Sequence, residues 1–262
     1  EDLIEVSKPD KNKKTIFIWP EGILPGIYQE KIVDYKGLFE NHFNENHLLV
    51  VGINSKSFDK GVVKYFNSLS VYDYRLNLLN SYDKINLVPF GEFLPLEHIL
   101  RNIGLKTLTN DYQSYSKGSE RNIIKINENN FSLKFLPLIC YEIIYSGRIF
   151  NDPNFDFIIN ISEDGWFGQS IGPKQHFIHS VYRAIESGKY VLRSSNNGIS
   201  AIINPLGNIE QEVSFNETGY IDFNQFKKVQ PTVFSKYGNK IFGLIILLYI
   251  FLFFSFNRIN NE

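Results

Sequence analysis

The single cysteine of this chain, Cys140, stands at the point where an apolar run gives way to polar residues. The run Phe135-Leu-Pro-Leu-Ile precedes it, and Tyr141 and Glu142 follow it. This pattern is typical of a buried β-strand that presents a nucleophile at its end. A lone cysteine has no partner for an internal disulfide, so its value lies either in packing as a small buried hydrophobe or in thiol chemistry.

Two other segments also end an apolar run in a residue that can do chemistry. The run 16–19 leads into Glu21, and Lys84 is followed closely by the block 87–92, which reads Leu-Val-Pro-Phe-Gly-Glu. A carboxylate can accept a thiol proton as a general base. A nearby ammonium can lower the thiol pKa and stabilise the oxyanion of a tetrahedral intermediate. Glu21, Lys84 and Cys140 together therefore predict attack of a thiolate on an acyl carbon.

The elements that must position these residues alternate between short strands and helices. This alternation predicts an α/β fold with a mixed sheet. Residues 64–79 fit two paired strands around a turn near Asn67 and Ser68, since Asn and Ser favour turns. The other predicted strands cover 15–19, 47–53, 131–140, 155–161, 190–193, 198–204 and 219–222, and the predicted helices cover 27–44 and 176–188.

Composition narrows the class of protein. The chain has 262 residues, which suffices for one large α/β domain or two small ones. Its net charge of −1 gives no basic surface for nucleic acid, so no nucleic-acid partner is expected. The five histidines are scattered, and we expect neither a metal site nor a cofactor. The chain contains no methionine, which indicates a fragment or a processed product of a longer protein.

The C-terminal segment is apolar throughout. Ile241–Phe256 carries no charged residue, and the segment predicts a transmembrane helix over 241–257, although the run is slightly short for the ~20 residues of a span. The alternative is a buried core helix, which is rarely apolar on every face. The sequence thus divides into a catalytic domain over 1–225, a linker over 226–240 and the apolar helix.

Taken in order, the motifs resemble those of the nitrilase, or carbon–nitrogen hydrolase, superfamily, and more narrowly of its apolipoprotein N-acyltransferase branch. The resemblance covers most of residues 15 to 210. In one departure, the family usually has an Asn-Asp pair shortly before Trp-Phe-Gly, where this chain has Ser162-Glu163-Asp164-Gly165. The matching motifs are Trp19-Pro20-Glu21, Lys84 with Leu87-Val-Pro-Phe-Gly-Glu92, Cys140-Tyr141-Glu142, Trp166-Phe167-Gly168, Gly172-Pro173, Gln175-His176, Arg183-Ala-Ile-Glu186, Leu192-Arg193 and Asn196-Asn197-Gly198-Ile199.

The resemblance implies a four-layer αββα sandwich, here without its first strand, followed by the C-terminal transmembrane helix. It also implies a multi-pass parent protein in the bacterial inner membrane, with the catalytic domain facing the periplasm. The implied reaction moves a fatty acyl chain from a membrane phospholipid to the N-terminal amino group of a diacylglyceryl-modified lipoprotein. The expected partners are therefore the phospholipid donor, the lipoprotein acceptor and the membrane.

The resemblance also assigns roles. Cys140 would be the nucleophile that becomes a thioester, Glu21 the general base and Lys84 the oxyanion stabiliser. Glu92 would support Lys84 or the thiol. The backbone N–H of Tyr141 would help to hold the oxyanion.

For the remaining candidates, a structural alternative stays open. Glu142 orders the nucleophile loop or only satisfies local hydrogen bonds. Trp19 lines the lipid entry or packs in the core. Phe90 begins an apolar segment that runs to Leu100, which is either a bilayer-dipping arm or part of a second core. His176 is interpreted as a structural histidine.

Two rival functions remain at this point. A soluble amidase of the same superfamily would hydrolyse a small amide with the same three residues. A non-catalytic, membrane-anchored binding domain would have lost the reaction altogether. The block 87–92 and the apolar C-terminal helix argue against the amidase, and the presence of Glu21, Lys84 and Cys140 argues against the binding domain.

Overall fold

The computed structural model describes residues 1–59, 61–96, 114–128, 131–147, 152–227 and 229–259. Its strands are β1 (Thr15–Ile18), β2 (His47–Asp59), β3 (Val62–Asp73), β4 (Leu78–Asp83), β5 (Ile124–Glu128), β6 (Phe131–Ile139), β7 (Phe157–Glu163), β8 (Tyr190–Asn196), β9 (Ser200–Ile203) and β10 (Ile209–Val213). Its helices are α1 (Asp2–Ser7), α2 (Lys36–His42), α3 (Gly172–Ser187), α4 (Val233–Tyr237) and α5 (Lys240–Ile259), with 3₁₀ turns at Gln29–Tyr35, Cys140–Ile144 and Gly165–Phe167.

The strands form two sheets. The first sheet has the order β1-β2-β3-β4, and the second has the order β10-β9-β8-β7-β6-β5. Strand β1 pairs in parallel with β2, and β6, β7 and β8 are mutually parallel, whereas the other pairings are antiparallel. The predicted mixed α/β architecture is therefore confirmed.

The two sheets pack face to face with helices on both outer sides. Apolar side chains of both sheets meet in the central core, including Leu69 and Val71 from β3 and Phe135 from β6. A second core lies between the first sheet and α2, and a third lies between the second sheet and α3. This arrangement is the αββα sandwich that the sequence motifs imply.

Strands β6 and β7 are almost continuously apolar because both of their faces are covered. All the side chains from Phe135 to Ile139 are buried, and so are those from Phe157 to Ser162. Parallel strands buried on both faces have this composition. Their carboxyl ends meet at one edge of the second sheet, where Cys140 and Glu163 lie side by side at the ends of β6 and β7.

Two predicted elements are wrong. Residues 64–79 do not contain a turn near Asn67, because β3 runs unbroken through this position and the turn lies at 74–77. Asn67 and Ser68 are both buried within the strand: Asn67 donates to Glu21 and Glu92, and Ser68 donates to Asp83. Residues 219–222 form no strand in the structure.

The C-terminal apolar segment forms the helix α5, and most of its large apolar side chains are exposed. In the part of the chain that the structure describes, no helix has both the length and the apolarity needed to cross a membrane. The helix predicted over 241–257 is thus present, but its prediction as a membrane span is not supported. The predicted linker over 226–240 contains the short helix α4.

Candidate active site

Glu21 is positioned by the end of β1. The backbone N–H of Trp19 continues the parallel ladder by donating to the carbonyl oxygen of Val50 at 2.8 Å, and the chain then turns through Pro20. Gly52 on β2 permits this path, since a Cβ there would lie 2.5 Å from the Pro20 oxygen and 2.6 Å from the Glu21 Cα. The close approach brings Glu21 over the first sheet, toward the second.

The Glu21 carboxylate is buried and hydrogen-bonded. Its Oε1 accepts from Asn67 Nδ2 at 2.6 Å and lies 3.4 Å from Lys84 Nζ, and its Oε2 accepts from the backbone N–H of Glu163 at 2.8 Å. Burial raises the pKa of Glu21 above its ordinary value, and the charge of Glu92 adds to this, although Lys84 opposes both. A carboxyl with a raised pKa is suited to accept and return a proton.

Lys84 follows the last residue of β4 and is buried to 1% exposure. Its backbone N–H donates to the Asn67 carbonyl at 2.8 Å, which extends the pairing of β3 and β4 by one residue. Its Nζ donates to Glu92 Oε1 at 2.8 Å. Burial by itself lowers the pKa of Lys84, but the charges of Glu21 and Glu92 outweigh burial and raise it, so the side chain is an ammonium.

Asn67 ties the two carboxylates together. Its Nδ2 donates to Glu21 Oε1 at 2.6 Å and to Glu92 Oε1 at 2.8 Å. The other Glu92 oxygen accepts from the backbone N–H of Val88 at 2.9 Å. Sequence reasoning missed Asn67 because an Asn-Ser pair favours a turn. The available signal was that Asn67 lies in a run of alternating β-forming residues that begins at Tyr65.

Cys140 directly follows β6 and begins a 3₁₀ turn. Its backbone φ is +47°, a left-handed conformation that costs a residue with a side chain on the order of 1 kcal/mol or more. Its Sγ lies 4.0 Å from the carbonyl oxygen of Glu163. Burial raises the pKa of Cys140 to about 12, with a further increase from Glu21 and an opposing effect of Lys84. At neutral pH the group is therefore a thiol.

The structure thus brings Glu21, Lys84, Glu92 and Cys140 together between the two sheets. A buried thiol, a buried ammonium and a carboxyl with a raised pKa interact electrostatically in one site. The thiol can lose its proton to the carboxylate as it attacks, and the ammonium can stabilise negative charge on the attacked group. This arrangement is suited to forming and breaking an acyl thioester.

Glu142 lies at the centre of a hydrogen-bond network under the nucleophile turn. It is completely buried, and its Oε1 accepts from Tyr82 Oη at 2.7 Å and from Arg121 Nη2 at 2.8 Å. The same oxygen accepts from the N–H of Ile85 at 2.9 Å, and Oε2 accepts from the N–H of Ile139 at 3.0 Å. Glu142 therefore joins the strand that ends in Cys140 to the segment that follows Lys84.

Removing the Glu142 carboxylate should destabilise the fold. We expect Glu142→Ala to lower the free energy of unfolding by about 3 kcal/mol or more, because the buried Tyr82 hydroxyl and the N–H groups of Ile85 and Ile139 would lose their acceptor. Urea unfolding measures this change. The control is Asp59→Asn, which breaks an ion pair with Lys64 that is about half exposed and should cost less than ~1 kcal/mol. Equal effects of the two variants would contradict the expectation.

The two residues considered for lipid contact differ in their surroundings. Trp19 is buried against Phe39 and Phe43, and its Nε1 donates to Ser7 Oγ at 3.0 Å, so the structure places it in the outer core. Phe90 is half exposed and has a φ of +62°. From position 97 onward, the apolar segment that begins at Phe90 lies outside the described residues. Tyr141 packs edge-on against Tyr145, with ring centroids 5.6 Å apart.

The residues before Trp166 hold the loop that follows β7. Glu163 Oε1 accepts from the N–H of Gly165 at 2.7 Å, and its Oε2 accepts from Asn196 Nδ2 at 2.5 Å. Asp164 is completely buried and accepts from Arg193 Nη2 at 2.7 Å and pairs with His176 Nδ1 at 2.8 Å. Both residues of the Glu-Asp pair, which stands where the family usually has Asn-Asp, are therefore hydrogen-bonded.

A family model described as carbon-nitrogen hydrolase matches residues 6–225. The chain belongs to the carbon–nitrogen hydrolase family. Within this family, a protein named apolipoprotein N-acyltransferase from Rhizobium etli is 33% identical over 221 residues, which cover 83% of this chain and 41% of that protein. A protein of the same name from Rickettsia prowazekii is 35% identical over 251 residues, or 94% of this chain and 49% of that protein.

The chain therefore spans about half the length, or less, of these curated relatives. Among solved carbon–nitrogen hydrolase structures, an amidase from Nesterenkonia sp. has a TM-score of 0.54 and 14% identity, covering 82% of this chain and 78% of that one. A CN-hydrolase superfamily protein from Xanthomonas campestris has a TM-score of 0.55 and 17% identity, covering 92% and 85%. At these identities the structures establish the shared fold.

Proposed function

We propose that this chain is the catalytic domain of an acyltransferase that moves a fatty acyl chain from a membrane phospholipid to the N-terminal amino group of a diacylglyceryl-cysteine lipoprotein. The observation that carries the proposal is the buried convergence of Glu21, Lys84 and Cys140. The relatives named apolipoprotein N-acyltransferase support lipid acyl transfer as the reaction, because their similarity extends over most of the chain.

In the first half-reaction, Cys140 takes the acyl chain from the phospholipid. The Sγ–H proton passes to the Glu21 carboxylate as Sγ attacks the ester carbonyl carbon. Lys84 stabilises the tetrahedral oxyanion, together with the backbone N–H of Tyr141. The ester C–O bond then breaks, and the departing oxygen takes the proton from Glu21. Lysophospholipid dissociates, and the acyl chain remains on the enzyme as a thioester.

In the second half-reaction, the amine of the lipoprotein attacks the thioester carbonyl carbon. Glu21 accepts a proton from the attacking nitrogen, and Lys84 again stabilises the oxyanion. The C–S bond breaks, and the Cys140 sulfur takes the proton from Glu21 as the amide product leaves. The same base serves both halves because each half ends with Glu21 returned to its carboxylate form.

The supporting residues act through these three. Glu92 holds the Lys84 ammonium by the 2.8 Å contact between Oε1 and Nζ, so that Lys84 is oriented before the substrate arrives. Glu142 orders the turn on which Cys140 stands, through its hydrogen bond to the Ile139 N–H. Trp19 fixes the end of β1 from which Glu21 extends, which is a packing role rather than a lipid contact.

The membrane partner is proposed from exposed apolar surface. Helix α5 carries exposed Leu, Ile and Phe side chains along its length, and burial of such a surface in lipid is favourable. Phe90, half exposed close to Glu92, would contact the acyl chain at the entry to the site. The proposed location is the bacterial inner membrane, with the domain 1–225 on the periplasmic side and 226–240 linking it to the apolar helix.

A two-substrate assay tests the proposal. The full-length protein is incubated in detergent with a phospholipid labelled in its acyl chain and a synthetic peptide that begins with diacylglyceryl-cysteine. Appearance of the label in an amide at the peptide N-terminus, together with lysophospholipid, is the expected result. An N-acetylated peptide serves as the control, because it has no free amine to accept the chain.

Amide hydrolysis is the rival outcome of the same assay. If small amides release ammonia while the peptide stays unlabelled, the chain is an amidase of this family and the lipid reaction is excluded. The amidase from Nesterenkonia sp. shares the fold at 14% identity, which supports neither substrate class over the other.

The raised pKa of Glu21 predicts a particular pH dependence. Glu21 must be ionised to accept the thiol proton, so kcat/KM for the phospholipid should fall as the pH drops through a midpoint above the ordinary carboxyl value of 4.5. In Glu92→Gln the midpoint should move down, because the charge of Glu92 contributes to raising the Glu21 pKa. A midpoint at or below 4.5, or an upward shift in the variant, would contradict the role given to Glu21.

A further inference from the structure

A buried group of polar side chains lies behind the backbone of Cys140, and the chemistry above does not use it. His176 Nε2, on α3, lies 3.1 Å from the carbonyl oxygen of Cys140. A carbonyl oxygen can only accept, so Nε2 is the donor of this hydrogen bond. On the other side of the ring, Nδ1 lies 2.8 Å from Asp164 Oδ1.

Asp164 in turn accepts hydrogen bonds from side chains of two strands, β7 and β8. Its Oδ2 accepts from Arg193 Nη2 on β8 at 2.7 Å, and its Oδ1 accepts from Ser162 Oγ on β7 at 2.8 Å. Burial raises the pKa of Asp164, but the hydrogen bond from His176 and the charge of Arg193 outweigh burial and hold it well below its usual range. An ionised Asp164 thus fixes the His176 ring with contributions from β7, β8 and α3.

The backbone of Cys140 needs such support. Its φ of +47° is a left-handed conformation that residues with a side chain rarely adopt. This conformation directs the Cys140 carbonyl to His176 instead of into the ladder of β6, and a buried carbonyl requires a donor. The same backbone conformation determines where Sγ lies relative to Glu21 and Lys84.

We infer that His176 is a positioning residue: held by Asp164, it locks the backbone of Cys140 so that Sγ faces Glu21 and Lys84 in the geometry of attack. The inference rests on the proposed role of Cys140 as the nucleophile. It differs from a purely structural role, because it makes the rate of acylation in the folded protein depend on one hydrogen bond to a carbonyl oxygen.

The test follows acylation alone, without phospholipid or lipoprotein. Full-length enzyme in excess over p-nitrophenyl acetate gives a single turnover, in which Sγ attacks the ester carbon and p-nitrophenolate leaves. We expect His176→Ala to lower this rate constant about 100-fold, as for a nucleophile displaced by about 1 Å. His176→Gln, whose amide can donate to the Cys140 carbonyl, should retain at least about a tenth of the wild-type rate.

The control is Ser187→Ala, which removes a different buried hydrogen-bond donor from α3. The Ser187 hydroxyl donates to the Arg183 carbonyl at 2.7 Å. Its rate constant should equal that of the wild type. Thermal unfolding of each variant separates folding from chemistry, because rates are compared per folded molecule. A His176→Ala rate equal to wild type, or a His176→Gln rate as low as that of His176→Ala, would overturn the role of His176 but not that of Cys140. A wild-type protein that releases no p-nitrophenolate beyond Cys140→Ala would overturn the proposed nucleophile and the inference with it.

Discussion

Replacing Cys140 by alanine is expected to lower acyl transfer to the lipopeptide by at least about 10⁴-fold, because the thioester intermediate can then no longer form. Cys140 is the only cysteine of these 262 residues, so no second thiol within them can take over its role. The alanine fits the space of the buried thiol, so the fold should remain intact. Thermal unfolding of the variant checks this point.

Cys140→Ser is the more demanding form of the same experiment. It keeps a nucleophilic atom in place but raises the proton affinity of that atom, so it should also fail to support turnover. Activity of Cys140→Ala within about tenfold of the wild type would contradict the covalent mechanism. The amine would then attack the phospholipid directly, and Glu21 and Lys84 would act without a thioester.

The second large effect is expected for Lys84→Met, which keeps the length of the side chain and removes its charge. We expect kcat to fall by about 10³-fold or more, since loss of one oxyanion donor alone costs 10²–10³. The measurement is the rate of the two-substrate reaction. Its matched control is Lys64→Met on the adjacent strand of the same sheet, which removes an ammonium paired with Asp59 at the surface and should leave kcat unchanged.

Lys84→Met should also change the pH dependence of stability. Without the ammonium, Glu21 and Glu92 face each other in the buried site, bridged by Asn67, so the pKa of Glu21 rises further above its ordinary value. A raised carboxyl pKa in the folded state means that the folded protein binds protons more tightly than the unfolded chain. The variant should therefore lose stability as the pH rises from the ordinary carboxyl value of 4.5 through the raised pKa of the folded state, and regain it as the pH falls again. A loss of stability that is constant with pH would contradict the charge pairing described here.

The sequence places Glu21 and Cys140 after apolar runs that form the strands β1 and β6, whereas Lys84 follows the mostly polar end of β4 and was singled out by the block 87–92 after it. The strands β1 and β6 begin and end within one residue of their predicted bounds, because the apolar runs that define them consist of adjacent residues. The predicted sandwich is confirmed as well, although it rested on motif resemblance. Composition and periodicity alone gave only an α/β class.

The parts that the sequence could not supply depend on distant contacts. Asn67 was interpreted as a turn residue, because the two carboxylates that it bridges lie 46 and 25 positions away in the chain. His176 was interpreted as a structural histidine, since nothing local indicates that it reaches Cys140, 36 positions earlier. For Trp19, a neighbour of Glu21, the sequence left core packing and lipid contact open, and the structure buries its ring against Phe39.

The central claim is that Cys140 carries the fatty acyl chain between the two substrates. Its most direct test is the intact mass of the full-length protein after incubation with phospholipid in the absence of an acceptor peptide. We expect a mass increase of one fatty acyl group that hydroxylamine removes and that Cys140→Ser lacks. An unchanged mass, with small amides hydrolysed by the same preparation, would contradict acyl transfer and show that this site hydrolyses amides instead.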